Sequence, residues 1–120
     1  MRIRRSFAVP LALAAGALAL GACSAAAEQG AAGTWASTGP GAPTVTLVDD
    51  GTFSGTDGCN RISGSWEQEG SEVTFSDAIT TLMACDGIPG WSGLAAGTIA
   101  GTAMTLTAED GTELDVLTRQ

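Results

Sequence analysis

The chain has 120 residues, of which 13 are acidic and 5 basic, a formal net charge of −8, and no histidine, lysine or tyrosine. A surface of that sign repels phosphate backbones and excludes nucleic acid as a partner. The missing residue types exclude the usual bases that activate a serine, threonine or cysteine nucleophile, and the length suits one small domain.

The N-terminus reads as an export signal. Arg2, Arg4 and Arg5 form a positive segment, and residues 7–20 are a nearly unbroken apolar run rich in Ala and Leu. Such a run is short for a bilayer span and normal for a signal-peptide core. Small residues Gly21 and Ala22 precede Cys23. The stretch Leu20-Gly21-Ala22-Cys23 resembles the lipobox of bacterial lipoproteins. That resemblance implies a diacylglyceryl group on the Cys23 thiol and cleavage just before it. Several acyl chains hold a protein stably where a single chain is marginal. Residues 1–22 are therefore expected to be a lipoprotein signal peptide. The mature protein is expected on a cell membrane or outer membrane, lipid-anchored through Cys23 and facing the extracytoplasmic side. Arg4-Arg5-Ser6-Phe7 also resembles the core of a twin-arginine signal. A plain basic segment accounts for the same residues, so the export route stays open.

Taking 22 residues from 120 leaves 98, with all thirteen acids and only Arg61 and Arg119 as cations, a formal charge of −11. Residues 23–32, mostly Ala, Ser, Gly, Gln and Glu, read as a flexible tether. Residues 33–120 then form the domain. Its tryptophans, phenylalanines and regularly spaced Val, Ile and Leu argue for a folded core.

The domain reads as hairpins. Trp35 belongs to a first strand near residues 33–37, and residues 38–43, with two prolines, form a loop. Residues 44–48 alternate, Asp49-Asp50-Gly51 punctuates, and Thr52-Phe53-Ser54 resumes. A three-residue loop with Gly51 left-handed sets Leu47 opposite Phe53. Glu69-Gly70 turns residues 63–68 back onto 71–76, setting Trp66 opposite Val73 with Phe75 on the same face. Residues 89–96 are the one helical candidate: proline suits a first helical turn, while Gly90 and Gly93 weaken it. A Glu109-Asp110-Gly111 loop then pairs Leu106 with Leu114 and Met104 with Val116. The expected class is all-β, antiparallel hairpins curled into a small barrel or roll, with one short helical segment.

With Cys23 acylated, Cys59 and Cys85 remain as an even pair in an oxidising compartment and are expected to form a disulfide. Without histidine or a C-x-x-C spacing, no metal site is expected.

The segment Gly58-Cys59-Asn60-Arg61-Ile62-Ser63-Gly64-Ser65-Trp66 resembles the signature of the META domain, the HslJ-like family. Thr81-Leu82-Met83-Ala84-Cys85 resembles that family's second motif. Gly33-Thr34-Trp35 is similar to its first strand, and residues 101–106 with Asp110-Gly111 to its closing strands. The resemblance implies a small all-β domain, common on bacterial envelope lipoproteins and linked to heat shock and antibiotic tolerance. It implies no catalytic residues. Two features depart from the family pattern: residues 86–97 are short and glycine-rich, and Leu82 stands where an arginine is frequent.

Asp57, Gly58 and Asn60 are turn formers that would aim Cys59 toward Cys85. Asn60 can bond loop backbone and Arg61 can pair with an acid. If the domain has an interaction site, Asn60 and Arg61 are its first candidates. The acid pairs Asp49/Asp50 and Glu109/Asp110 sit in expected turns and read as solvated loops. The expected protein is thus a monomeric, non-catalytic lipoprotein without a cofactor, held to the membrane by its lipid and meeting an envelope protein or serving under stress. The alternative is a carrier or sensor of an apolar small molecule, with Trp66, Phe75, Met83 and Trp91 lining the barrel interior.

Overall fold

The computed structural model describes residues 30–120. The expected signal peptide, Cys23 and the tether as far as residue 29 lie outside the described residues. Eight strands follow in chain order: β1 (Gly33–Ala36), β2 (Thr44–Leu47), β3 (Thr52–Thr56), β4 (Arg61–Glu69), β5 (Glu72–Thr80), β6 (Leu94–Ala100), β7 (Ala103–Ala108) and β8 (Glu113–Arg119). Each pairs antiparallel with the next, and β8 returns to β1 through Trp35↔Arg119 and Ala36↔Thr118. Closure satisfies the outer strands that an open sheet would leave exposed.

The all-β barrel expected from the hairpins is the observed fold, but its helical segment is not. Among the described residues there is no helix. Gly90 and Gly93 have φ of 69° and 74°, outside the α-helical range, and Leu94 already opens β6.

Alternation along each strand sends one set of side chains inward. Trp35, Leu47, Phe53, Val73, Met104, Leu106 and Leu117 are buried there. Each such side chain stabilises the fold by roughly 1.5–3 kcal/mol. Phe53 and Phe75 meet edge to face with centroids 5.0 Å apart. Glycines at inward positions make room for the larger neighbours. A Cβ on Gly64 would lie 2.8 Å from Phe53 Cε1, and one on Gly97 would lie 2.7 Å from Met104 Sδ. Side chains therefore fill the interior positions that the carrier reading needs as a cavity.

The registers test the hairpin expectations one by one. Leu47 does oppose Phe53, across a loop of Asp49, Asp50 and Gly51 in which Gly51 has φ 89°. The β4–β5 turn is Gly70-Ser71, not Glu69-Gly70, so Trp66 opposes Phe75 and Gln68 opposes Val73. A shift of two residues keeps every face, and Val73 and Phe75 stay inside. The Glu109-Asp110-Gly111 loop is present, closed by Ala108 N–H to Thr112 O at 2.9 Å. Beyond it the expected pairs fail: Leu106 opposes Asp115 and Met104 opposes Leu117. A register shift after Thr107↔Glu113 leaves Leu114 unpaired, which inverts the rest of β8. Leu117 is therefore buried and Val116 exposed.

The lower end of the barrel carries the β2–β3, β4–β5 and β6–β7 turns. Residues 30–32 lie there. Ala31 is fully buried, its N–H donates to Gln68 Oε1 at 2.8 Å, and its carbonyl accepts from Trp35 Nε1 at 2.9 Å. The Arg119 guanidinium stacks 4.3 Å from the Trp35 ring and donates to Ala32 O and Gly30 O. Residues 31 and 32 thus belong to the folded body and not to the expected tether. The upper end carries the β1–β2, β3–β4, β5–β6 and β7–β8 connections.

Candidate functional site

The upper end is organised by Asp57. Its Oδ1 accepts the N–H of Cys59 at 2.9 Å and of Asn60 at 2.6 Å, an Asx-type turn. Its Oδ2 accepts the Trp91 N–H at 3.1 Å. Burial pushes this carboxyl toward a higher pKa, but the N–H groups of Asn60, Cys59 and Trp91 outweigh it and hold the pKa below the ordinary value. Asp57 is therefore an anion already committed to three donors. Gly58 follows it because the β1–β2 loop presses close: a Cβ there would lie 2.6 Å from Pro40 O.

The turn fastens the β5–β6 connection twice. A disulfide joins Cys59 to Cys85, with Cα atoms 5.8 Å apart and a sequence separation of 26. Closing such a loop stabilises by about 3.5 kcal/mol in the chain-entropy model. Asn60 adds a polar clamp: Oδ1 accepts the Met83 N–H at 2.6 Å and the Thr81 hydroxyl at 2.8 Å, and Nδ2 donates to Met83 O at 3.1 Å.

The two residues expected as an interaction pair therefore separate. Asn60 is consumed in holding residues 81–83. Arg61 is exposed on the wall formed by β3 and β4, and among the described residues its guanidinium makes no hydrogen bond or ion pair. The acid partner expected for it is absent from that set.

Trp91 plugs the upper mouth and is 3 % exposed. Its indole Nε1 donates to Asp115 Oδ2 at 3.1 Å, and Ser37 Oγ donates to Asp115 Oδ1 at 2.9 Å. Beside it the barrel wall opens. β5 pairs with β6 only at Glu72↔Thr98, Val73↔Gly97 and Thr74↔Ala96, although β5 continues against β4 as far as Thr80. Between the freed part of β5 and residues 88–94 lies an open cleft of about 660 Å³. Phe75, Met83, Ile88 and Trp91 give it apolar surface; Asp57, Asp77 and Glu109 give it negative charge, and among the described residues no cation lines it. Leu82 and Met83 stand out of its rim, exposed by 94 % and 59 %, while Ile79, 73 % exposed, lies on the neighbouring wall beside Arg61 and Ser63.

The four side chains expected around an interior cavity do not meet. Phe75, Met83 and Trp91 line this cleft, whereas Trp66 lies at the lower end, with Nε1 donating to Val48 O at 2.9 Å. The turn acids are local fasteners. Asp50 Oδ1 accepts the Thr52 hydroxyl and N–H, and Asp110 Oδ1 accepts the Thr112 N–H. The threonine side chain first, then its N–H, lowers the pKa of each carboxyl.

A family model described as the META domain matches residues 26–120. The chain belongs to the META domain family. No curated protein and no solved structure matches it. In this META domain the two cysteine motifs, Gly58-Cys59-Asn60 and Met83-Ala84-Cys85, form one device that ties the β3–β4 turn to the β5–β6 connection. Sequence reasoning treated Asp57 only as a turn former and passed over Asp115. An Asp two residues before a structural cysteine is a legible Asx signal. Asp115 is hidden, because only the bulge at Leu114 turns it toward Trp91.

Proposed function

We propose that this chain is a lipid-anchored protein of the cell envelope whose META domain is a non-catalytic interaction module, used in the envelope under stress. The observation that carries this reading is the opposition of two ends. The described chain begins at the lower end with Gly30, whose carbonyl takes the Arg119 guanidinium, and the cleft with its apolar rim is at the upper end. Cys23 precedes Gly30 by seven residues (30 less 23), a reach of at most about 25 Å. An acyl group on Cys23 would hold the lower end toward the membrane and turn the cleft outward. The mature charge of −11 disfavours lying flat on anionic lipid, so anchoring falls to the lipid itself. The acid best placed for chemistry, Asp57, is spent on three N–H donors, which favours a binding role over catalysis.

Feeding cells labelled palmitate tests the anchor. The protein should carry the label and sediment with membranes, and Cys23→Ala should abolish both. An unlabelled, soluble wild type would contradict the reading. A carrier of an apolar small molecule is the second reading, and the cleft, not the packed interior, is where its cargo would sit. Native mass spectrometry of the gently extracted protein tests it: a co-purifying lipid mass favours it and a clean apo mass removes it.

A further inference from the structure

Resting on the interaction reading, we propose that the free edge of β5 beyond Thr74 takes an extended polypeptide segment with basic and apolar side chains, added as a strand in the split between β5 and β6. Pairing with β6 stops at Thr74↔Ala96, so residues 75–80 are held from one side only. The Thr81 N–H points at β4, where it meets Arg61 O at 3.0 Å. Alternation turns the N–H groups of Thr80 and Ala78 the other way, into the cleft.

A sheet edge with open donors and acceptors is a template for another strand, and folded proteins usually cover or charge it. Here the charge is negative: Asp77 and Glu109 line the cleft, and among the described residues no cation does. That selects a basic occupant. Ile79 and Met83, exposed beside the edge, offer contacts for alternate apolar side chains of the added strand.

A second copy of this chain fits poorly. Two such edges would bring Asp77 against Asp77, on domains (residues 33–120) that each carry −10. The edge is also interrupted. Asp77 has φ 53°, and the β4–β5 register shifts between Ser63 and Ser65. A bulge of this kind obstructs long flat pairing, yet leaves residues 78–80 available to a short strand.

The test uses the full lipidated chain in detergent and a capped ten-residue peptide of alternating lysine and valine. Amide exchange at Ala78 and Thr80 should slow about tenfold on peptide binding, as buried hydrogen bonds form. Methylating alternate peptide nitrogens should weaken binding about tenfold. Added salt should weaken it further. Asp77→Asn, which tolerates the left-handed backbone, should lower affinity, as should Leu82→Lys at its exposed site. Unchanged exchange at both amides would overturn the proposal, as would equal binding of the methylated peptide. Slowing that appears with protein concentration alone would assign the edge to a second copy and overturn it too. A partner cross-linked in cells through another face would sink this site and keep the interaction reading, whereas a wild type without acyl label would sink the anchor alone.

Discussion

The Asp57 carboxylate accepts the backbone N–H of Trp91 at 3.1 Å across 34 residues of sequence. This bond joins the β3–β4 turn to the residue that plugs the barrel mouth. It fixes one wall of the cleft, and it makes Asp57 the residue on which the upper end most depends.

Asp57→Asn places an NH₂ group among three N–H donors in a buried position. The expected cost is about 2–4 kcal/mol, measured by denaturant unfolding at pH 7. The lowered pKa of Asp57 adds stability that is fully present above the unfolded carboxylate value of about 3.9 and is lost as pH falls through the lower folded value. Wild-type stability should therefore decline below about pH 4, and the Asn variant should decline less over the same window. Equal acid sensitivity of the two proteins would contradict the assignment.

Asn60 and Arg61 are sequence neighbours with opposite expectations. Asn60→Ala removes the clamp on Thr81 and Met83 and should cost about 1–3 kcal/mol, with faster amide exchange at Met83. Arg61→Ala should change stability by no more than about 0.5 kcal/mol. A large loss for Arg61→Ala would reveal a structural partner.

Replacing Cys59 and Cys85 together by serine should lower stability by about 2–4 kcal/mol. The loss should concentrate at the upper end, because the β5–β6 connection would then be held by hydrogen bonds alone: the Asn60 clamp, the Thr81–Arg61 contact and the Trp91 bonds to Asp57 and Asp115. Exchange at the lower end, near Trp35 and Arg119, should change least. Uniform loosening of the whole barrel would contradict this division.

Gly64 and Gly97 both face packed neighbours, but their neighbours differ in give. At Gly64 a Cβ would also meet Ser76 O at 2.7 Å, which is backbone. At Gly97 it would meet the Met104 thioether, which can move. Gly64→Ala should cost about 3 kcal/mol and Gly97→Ala about 1 kcal/mol. Thermal unfolding of the two variants checks the order, and the reverse order would contradict the packing described.

Much of this was legible in the chain. The Leu47–Phe53 pairing followed from matching apolar faces across Asp49-Asp50-Gly51, and the Cys59–Cys85 bridge from cysteine parity. The β4–β5 turn was misplaced because Glu69-Gly70 and Gly70-Ser71 preserve the same faces, so alternation cannot choose between them. In β8, Leu114, Val116 and Leu117 offer apolar residues in both phases, and the bulge that selects Leu117 leaves no mark on the pattern. The split between β5 and β6 was illegible for a different reason. It arises from where pairing stops, and Ala95, Ala96 and Gly97 give little sign of a strand's beginning.

Cross-linking in intact cells that express the full chain, followed by membrane extraction and mass identification of whatever is attached to residues 33–120, bears most directly on the interaction module. The expected result is a reproducible extracytoplasmic protein, attached near the cleft and lost with Cys23→Ala. No attached partner across normal growth, heat and antibiotic stress would contradict it.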